Sequence, residues 1–412
     1  MSTILPNARL HWIRNVAFAP DAPYGPTQQA ILGGTAFEQA NEQIRRWPGY
    51  AATPLRNLAG LASAAGVQQI LYKQEAHRFG LGSFKALGGA YAVSRLLLRE
   101  LNQRLNRTDL GIEDLLSGRY RDLTQHMTVT CATDGNHGRS VAWGAERFGC
   151  QCVIYIHATV SEGRKAAIES YGAQVVRTPG NYDDSVRQAA EDADRLGRFV
   201  VSDTSYPGYM DVPKDVMQGY GVMAEEALQQ LARTDAALPT HVFLQGGVGG
   251  LAAAVCAHFW ERLGTRRPRF VVVEPDKAAC LYESAKAGHP VAVHGELDTV
   301  MAGLACGEVS LLAWEILKPG VQAFLTVDDA AALDTVRLLA DSPYGDAPLV
   351  AGESAVAGLA GALAALADPG ARAALGLDTD SRILLFGSEG ATDPVLYEQI
   401  VGRKPEEIGE PA

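Results

Sequence analysis

Short apolar segments alternate with helix-like segments through the middle of the chain. Examples are residues 129–131, 152–156 and 174–176, each followed by a stretch long enough for several helical turns. Strands that alternate with helices in this way pair in parallel and are joined by right-handed crossovers. The pattern therefore predicts an α/β fold in which mainly parallel, twisted sheets are flanked by helices.

The chain is long enough for more than one hydrophobic core. It has 412 residues, whereas a single domain usually has about 100–200. One compact series of alternating segments ends near residue 211, and a second begins with an amphipathic helix near residue 216. We therefore predict a small domain over residues 87–211 and a large, discontinuous domain formed by residues 1–86 and 212–412.

Composition narrows the class of protein. The formal charge of −11 argues against a nucleic-acid partner, because the phosphate backbone is bound by basic patches. No apolar run reaches the roughly eighteen residues of a membrane span, and the N-terminus does not begin as an export signal does. The six cysteines lack metal-site spacing, so we expect reduced thiols, no metal and a cytoplasmic protein.

Lys85 stands where a glycine-containing loop turns into a helix. Residues 83–89 read Ser-Phe-Lys-Ala-Leu-Gly-Gly, and the helix-like stretch continues to Leu98. The helix macrodipole disfavours a cation at this end, so either another group offsets the charge or covalent chemistry removes it. A lysine that forms a Schiff base with a carbonyl cofactor does the latter. An exposed lysine at a helix start is the alternative.

A glycine-rich loop follows the buried strand predicted at residues 241–245 and opens another helix. Its residues are Gly246, Gly247, Val248, Gly249 and Gly250. Glycines let the backbone approach an anion, and free N–H groups at a helix N-terminus bind phosphate. The spacing of Gly247, Gly249 and Ala252, with Glu274 about 20 residues further on, also fits a dinucleotide site. An NAD-dependent oxidoreductase is therefore an alternative to an enzyme with a monophosphate cofactor.

Two further loops complete a series of four motifs. Residues 132–138 read Ala-Thr-Asp-Gly-Asn-His-Gly between a strand and a helix, and residues 387–390 read Gly-Ser-Glu-Gly after the last apolar strand. With the lysine segment and the glycine loop, in this order, they resemble the fold-type II pyridoxal-phosphate enzymes, such as threonine dehydratase. The resemblance implies two domains with pyridoxal 5′-phosphate in the cleft between them, the large domain being the cofactor-binding one.

Asp134 departs from the usual pattern, since most fold-type II enzymes carry Ser or Thr at this position. This Asp, the Phe84 before the lysine and the run at residues 299–308 are similar to the diaminopropionate ammonia-lyase family. The resemblance implies α,β-elimination of D- or L-2,3-diaminopropionate through an aminoacrylate, giving pyruvate and two ammonia, in amino-acid catabolism. A serine or threonine dehydratase of the same fold is the alternative.

The resemblance implies how the cofactor is held. Lys85 would bind it as a Schiff base, Asn136 would contact its phenolic oxygen and Ser388 would face its pyridine nitrogen. A hydroxyl at that nitrogen, unlike a carboxylate, need not keep the ring protonated, which suits elimination better than transamination. The expected cofactor-binding residues are Phe84, Lys85, Asn136, Gly246, Gly247, Val248, Gly249, Gly250 and Ser388.

The resemblance also implies two bases and a set of substrate contacts. Lys85 would take the α-proton from one enantiomer, and Asp134 would act on the opposite face, so that both enantiomers react. Asp203 would bind the second ammonium of the substrate, although a turn aspartate that caps backbone donors is the alternative. The expected substrate-binding residues are Thr133, Asp134, His137 and Asp203. A homodimer is expected as well.

Overall fold

The computed structural model describes residues 4–5, 8–133, 135–180 and 182–409. Asp134, which the sequence predicts to be a catalytic base, lies outside these described residues. The strands are β1 Leu10–Arg14, β2 Leu55–Asn57, β3 Gln69–Gln74, β4 Thr128–Ala132, β5 Gln151–Ile156, β6 Gln174–Arg177, β7 Phe199–Val200, β8 His241–Gln245, β9 Arg269–Pro275, β10 Val321–Val327 and β11 Arg382–Gly387.

Helices connect these strands. They are α1 Pro26–Leu32, α2 Gly34–Arg45, α3 Ala59–Ala65, α4 Ala86–Arg104, α5 Ile112–Leu116, α6 Arg121–Thr124, α7 Asn136–Phe148, α8 Glu162–Glu169, α9 Tyr182–Leu196, α10 Asp211–Arg233, α11 Gly250–Leu263, α12 Cys280–Ala287, α13 Leu311–Gly320, α14 Asp329–Asp341, α15 Ala357–Ala367, α16 Pro369–Leu375 and α17 Pro394–Val401. No helix among the described residues is both long and apolar enough to cross a membrane.

The chain divides into two compact units, the first formed by Met1–Gly34, Ala52–Ser83 and Met223–Ala412. Its strands form one sheet in the order β1-β10-β9-β8-β11-β3-β2. The inner strands pair in parallel, and the edge strands β1 and β2 pair antiparallel with their neighbours. Strands β8 to β11 are nearly continuous apolar runs buried along their length, as expected when helices cover both faces of a parallel sheet.

Two sequence motifs meet at one edge of this sheet. Strands β8 and β11 are parallel neighbours, with Phe243 opposite Leu385. Parallel strands end at the same edge of a sheet, and ligands of α/β proteins bind at that edge. The glycine loop, residues 246–250, follows β8, and the segment of residues 387–390 begins with the last residue of β11. The strand order thus explains why two motifs that are far apart in sequence lie at the same edge of the sheet in the first unit.

The second unit, Thr35–Ala51 and Phe84–Val222, contains a parallel sheet in the order β6-β5-β4-β7. Helix α4, which begins directly after Lys85, packs closely on α7, where a Cβ atom on Gly144 would lie 2.8 Å from Ala90 Cα. The first half of α10 approaches α4 even more closely, since a Cβ atom on Gly219 would lie 1.9 Å from a carbonyl oxygen of α4. These glycines therefore fix the start of α4 against two neighbouring helices.

These units differ from the predicted domains at their boundaries. Residues 35–51 cluster with the second unit, because Trp47 packs edge-on against Trp143 and Phe148, with ring centroids 5.9 and 5.6 Å apart. The later boundary falls after Val222, inside α10, and not at residue 211. The predicted boundary lies at the start of α10, whereas the residues that pack against α10 change after Val222.

Four charged side chains are buried where β3 leads into the lysine-bearing segment. Lys73 Nζ lies 2.6 Å from Glu226 Oε2, and the Arg78 guanidinium lies 2.8 Å from both Glu75 and Glu226. The Thr53 hydroxyl donates to Glu75 at 2.6 Å. Buried charges are tolerated only when they are paired and hydrogen bonded. Two cations and two anions meet that condition here, and they anchor the start of the segment.

The structure defines where α3, α8 and α7 begin. Strand β2 pairs with β3 before α3 begins. Ser161 Oγ accepts the N–H of Arg164 at 3.3 Å and so caps α8. Asn136, His137 and the glycine after them form the first turn of α7 and not part of the preceding loop.

Candidate active site

Lys85 lies directly before α4, and its ammonium is paired with the Asp203 carboxylate. Nζ and Oδ2 are 2.5 Å apart, and the two side chains are 19% and 17% exposed. The helix macrodipole disfavours a cation at this helix end, and the carboxylate compensates for it. The sequence predicts that another group or covalent chemistry offsets the charge of Lys85, and Asp203 is such a group.

Aromatic rings and a hydroxyl position Lys85. The rings of Phe84 and Tyr220 pack at a centroid distance of 4.6 Å, and Lys85 Nζ lies 5.4 and 5.9 Å from their centroids. The Ser140 hydroxyl donates to the Lys85 carbonyl at 2.7 Å and accepts the N–H of Ala90 at 3.1 Å. No sequence signal indicates Tyr220 or Ser140, because both reach Lys85 only through the packing of α7 and α10 on α4.

The ionisation of Asp203 is set by its neighbours. Burial raises the pKa of this carboxyl, but the Lys85 ammonium outweighs burial and holds the pKa well below its usual value. Asp203 is therefore a carboxylate at neutral pH. A partly exposed carboxylate is suited to receive an ammonium group through charge-assisted hydrogen bonds.

His137 is buried, and its imidazole ring is fixed in one tautomer. Its Nε2 lies 2.7 Å from the Val201 carbonyl oxygen, which can only accept, so Nε2 carries the hydrogen. Its Nδ1 faces Asp203 Oδ2 at 3.8 Å and has no hydrogen-bond partner among the described residues. Burial lowers the pKa of the ring, so the neutral form is favoured. His137 therefore adjoins the carboxylate without forming a hydrogen bond to it.

The loop before α7 is shaped by Thr133. Its hydroxyl oxygen accepts the N–H groups of Gly135 and Gly138 at 3.0 and 3.1 Å, and its side chain is buried. Thr133 thus stabilises the loop, and its predicted contact with substrate stays a prediction. Asn136 is half-buried at the first position of α7. The neighbouring Asp134 is outside the described residues, so its predicted role as a base stays a prediction too.

The glycine loop presents free N–H groups at the start of α11. Those of Gly247, Val248 and Gly250 have no hydrogen-bond acceptor within the described parts of the chain. The N–H of Gly246 donates to Val273 at 2.9 Å, and that of Gly249 lies 3.3 Å from the Gly246 carbonyl oxygen. Gly247 and Gly249 have φ values of 64° and 97°, a region that favours glycine. The loop therefore offers an anion three free donors, whereas the sequence predicts five.

Glu274 explains why position 246 is a glycine. A Cβ atom on Gly246 would lie 2.4 Å from Glu274 Cγ. The Glu274 oxygens accept the N–H groups of Leu281 and Tyr282 at 3.0 and 2.7 Å, and the side chain is fully buried. A dinucleotide site needs an exposed acid at this position for the ribose hydroxyls. The structure therefore argues against the NAD-dependent alternative.

Ser388 is connected both to the glycine loop and to the lysine-bearing segment. Its buried hydroxyl oxygen accepts the side-chain N–H of Gln245, the last residue of β8, at 2.9 Å. The next two residues bond to the main chain that precedes Lys85, through a bridge between Ser83 and Glu389 and a 2.9 Å bond from Gly390 to residue 82. These bonds hold residues 387–390 in a fixed position within the first unit.

Two cysteines lie beside the glycine loop. The Cys280 thiol donates to the Gly247 carbonyl oxygen at 3.4 Å, and a Cβ atom on Gly247 would lie 3.7 Å from Cys306 Sγ. None of the six cysteines, all of them among the described residues, is in a disulfide. Burial and Glu274 raise the pKa of Cys280, so this thiol is a poor nucleophile.

Two sets of predicted residues are thus assembled, one within each unit. The second unit brings together a reactive amine, a carboxylate and a neutral imidazole from Lys85, Asp203 and His137. The first unit brings the free N–H groups of the glycine loop near the Ser388 hydroxyl, by way of Gln245. Among the described residues, no group of His, Cys, Asp and Glu side chains could hold a metal ion. The second unit offers an amine for covalent attachment of a carbonyl and groups for acid–base chemistry, and the first unit offers an anion-binding loop.

Known proteins resemble this chain over most of its length. The family model described as "Pyridoxal-phosphate dependent enzyme" matches residues 46–380. The diaminopropionate ammonia-lyase of Salmonella typhimurium is 39% identical over 379 residues, covering 90% of this chain and 93% of that protein. The Escherichia coli diaminopropionate ammonia lyase in complex with an aminoacrylate-PLP azomethine reaction intermediate matches with a TM-score of 0.84 and 36% identity. Its complex with D-serine matches with a TM-score of 0.86 and 35% identity, and each match covers 96% of this chain and 97% of that one.

Proposed function

This chain belongs to the pyridoxal-phosphate dependent enzymes and, among them, to the diaminopropionate ammonia-lyases, and we propose that it converts 2,3-diaminopropionate to pyruvate and two ammonia. The observation that carries the proposal is the Lys85–Asp203 ion pair. It places a carboxylate that binds an ammonium group next to an amine that can react with a carbonyl. A substrate with two amino groups needs both.

The residues present fit pyridoxal 5′-phosphate. The three free N–H groups of the glycine loop suit its phosphate, and a Cβ atom on Gly246 would disturb that loop. The buried Ser388 hydroxyl suits the pyridine nitrogen, and Asn136 suits the phenolic oxygen. The aromatic ring of Phe84 packs beside the amine of Lys85, which would hold the cofactor covalently. When bound, this cofactor supplies an electron sink that acidifies the α-hydrogen of an amino acid.

Lys85 has a second role in the proposal. Its amine, once released from the cofactor, would take the α-proton from one enantiomer of the substrate. The ring packing of Phe84 and Tyr220 and the bond from Ser140 to its carbonyl restrict where this amine can move. Such positioning favours proton transfer, because a base must lie within hydrogen-bond reach of the proton it removes.

Asp203 would bind the side-chain ammonium of the substrate. In the ion pair it already accepts from one ammonium, that of Lys85. To hold the cofactor, Lys85 would have to leave this ion pair as a neutral amine, and the substrate ammonium could then take the same place. His137 stays neutral beside this carboxylate because burial lowers the pKa of the imidazole, so it does not compete as a cation.

Elimination of water is the alternative reaction. A serine or threonine dehydratase acts on a substrate with a hydroxyl in place of the second amine. That hydroxyl needs no ionised partner, whereas a second ammonium would replace the Lys85 ammonium that Asp203 contacts in the ion pair. The carboxylate therefore favours the diamine as the substrate.

Two further proposals concern the enzyme as a whole. We expect it to act in the cytoplasm, which agrees with free thiols at all six cysteines. We also expect a homodimer, and the molar mass from light scattering during gel filtration would decide that point.

Steady-state release of pyruvate tests the proposed activity. D- and L-diaminopropionate should both be turned over, and both should be preferred to D- and L-serine by the ratio of kcat to KM. Equal or better turnover of serine would assign the chain to the dehydratases. Turnover of none of the four would contradict the proposed activity.

A further inference from the structure

The side-chain amide of Gln245 lies between the two cofactor-binding features of the first unit. Gln245 ends β8, directly before the glycine loop, and it is buried. Its Nε2 lies 2.7 Å from the Phe386 carbonyl oxygen, 2.9 Å from Ser388 Oγ and 3.4 Å from the Ala355 carbonyl oxygen. The proposed reaction does not use this amide directly, and no sequence motif contains it.

The orientation of this amide follows from its partners. The carbonyl oxygens of Phe386 and Ala355 can only accept hydrogen bonds, so the amide nitrogen and not its oxygen must face them. That nitrogen carries two hydrogens. The shortest contacts assign one to Phe386 and the other to Ser388 Oγ. The Ser388 oxygen is therefore an acceptor towards Gln245.

This arrangement determines what the Ser388 hydroxyl can still do. Its own hydrogen points away from Gln245, and Ser388 makes no other hydrogen bond to the described residues. A buried donor without an acceptor is destabilising. The hydroxyl is thus ready to donate to a group that carries a lone pair.

We propose that Gln245 is a positioning residue that makes Ser388 a hydrogen-bond donor to the cofactor's pyridine nitrogen and so keeps that nitrogen unprotonated. The inference rests on the proposed function, since it assumes that pyridoxal phosphate is bound and that Ser388 faces its nitrogen. A protonated nitrogen would present its hydrogen to Ser388 Oγ. The hydroxyl would then have to turn its own hydrogen away, where no acceptor lies among the described residues.

Nitrogen-15 NMR of the holoenzyme loaded with ring-labelled cofactor tests the proposal. The wild-type signal should have the position of a neutral, hydrogen-bonded pyridine nitrogen. Ser388→Asp supplies the pyridinium reference, because a carboxylate accepts from the protonated ring. A wild-type signal at that reference position would overturn the inference, even if no Gln245 variant folds.

Gln245→Met tests the role of the amide itself. It removes the donor at nearly constant volume, so the Ser388 hydroxyl is no longer held in one orientation and the nitrogen signal should move away from the wild-type position. The value of kcat should fall about 3- to 10-fold, the size of one neutral hydrogen bond, with KM unchanged because Gln245 does not touch substrate. Gln322→Met is the matched control, since Gln322 lies on β10 of the same unit and its side chain makes no hydrogen bond to the described residues.

The outcomes separate this inference from the proposed function. If the wild-type protein binds no pyridoxal phosphate, the proposed function fails and no nitrogen signal is obtained. If it binds the cofactor and releases pyruvate, but Gln245→Met and wild type give the same nitrogen signal, the proposed function stands and the role of Gln245 is refuted.

Discussion

Lys85 Nζ and Asp203 Oδ2 form a 2.5 Å ion pair in which each side chain neutralises the other. An amine must lose its proton before it attacks a carbonyl carbon. To hold the cofactor, Lys85 would therefore have to leave this ion pair as a neutral amine, and Asp203 could then bind another cation. In the proposed function, the pair would connect attachment of the cofactor with recognition of a diamine.

Lys85→Ala should abolish the visible absorbance of lysine-bound cofactor. The variant has no amine to attach the carbonyl, and pyruvate release should fall below detection. Absorbance spectra after reconstitution with pyridoxal phosphate measure the effect. Lys286→Ala, which removes an exposed lysine paired with Glu283, should keep the wild-type spectrum. An unchanged spectrum for Lys85→Ala would assign the covalent bond to a different residue.

Asp203→Asn should raise KM for diaminopropionate about 10- to 100-fold. The estimate corresponds to one hydrogen bond to a charged group, about 1.5–3 kcal/mol. The side reaction with serine, which has no second ammonium, should change much less. Steady-state kinetics with both substrates distinguish loss of ammonium recognition by Asp203 from a loss of activity that affects every substrate. Asp334→Asn, at an exposed ion pair with Arg337, is the control, and equal losses on both substrates would rule out recognition by Asp203.

Asp134→Asn should impair one enantiomer of diaminopropionate far more than the other. Loss of a general base typically costs about 10²- to 10⁴-fold in rate, and the amine of Lys85 would still serve the opposite face. Separate kcat values for the D and L substrates provide the measurement. Similar losses on both would remove the role of Asp134 as a second base.

Gly246→Ala should weaken cofactor binding without unfolding the protein. The new Cβ atom would lie 2.4 Å from Glu274 Cγ, so the loop must shift and the free N–H groups of Gly247 and Val248 lose their alignment. Titration of the apoenzyme with pyridoxal phosphate should show a higher Kd. Gly163→Ala, in α8 with its nearest contact at 3.9 Å, should bind the cofactor as the wild type does.

Glu274→Gln should flatten the pH dependence of stability between about pH 5 and pH 8. Burial raises the pKa of Glu274 to about 8, whereas an unfolded glutamate titrates near 4.3. Between these values the folded protein holds a proton that the unfolded chain releases. The stabilising contribution is therefore complete below the unfolded pKa and is lost as pH rises towards 8.

Urea unfolding at several pH values measures this dependence. The wild type should lose stability as pH rises through that interval, and Glu274→Gln should lose less, because glutamine stays neutral throughout. Glu398→Gln, an exposed change in α17, should follow the wild type. Parallel curves for wild type and Glu274→Gln would contradict the prediction.

Strands and helices were predictable from the sequence where an apolar pattern is bounded by turn residues. Strands β4, β5, β8 and β11 and helices α9 and α11 are indicated by apolar runs and by glycine turns at their ends. Strand β1 is not, because it is an edge strand that pairs antiparallel with β10, more than 300 residues later in sequence. Its strand conformation depends on that distant partner and not on its own pattern.

The candidate site was predictable as far as short motifs extend. Lys85, the glycine loop and Ser388 are indicated by strand–loop–helix context and by a family resemblance. Tyr220, Ser140 and Gln245 are not, because each acts through a contact made by folding. A glutamine at the end of a buried strand carries no local signal for the hydroxyl that it contacts 143 residues away.

The buried charges at the start of the lysine-bearing segment limit how this protein can change. Removing one of Lys73, Glu75, Arg78 or Glu226 leaves an uncompensated charge, at a typical cost of about 3–5 kcal/mol, comparable to much of the stability of a domain. A single substitution at one of these four positions is therefore strongly destabilising, whereas replacement of all four by apolar residues leaves no unpaired charge. Related sequences should retain these positions together or exchange them together, and mutant libraries around Lys85 should vary them only as a group.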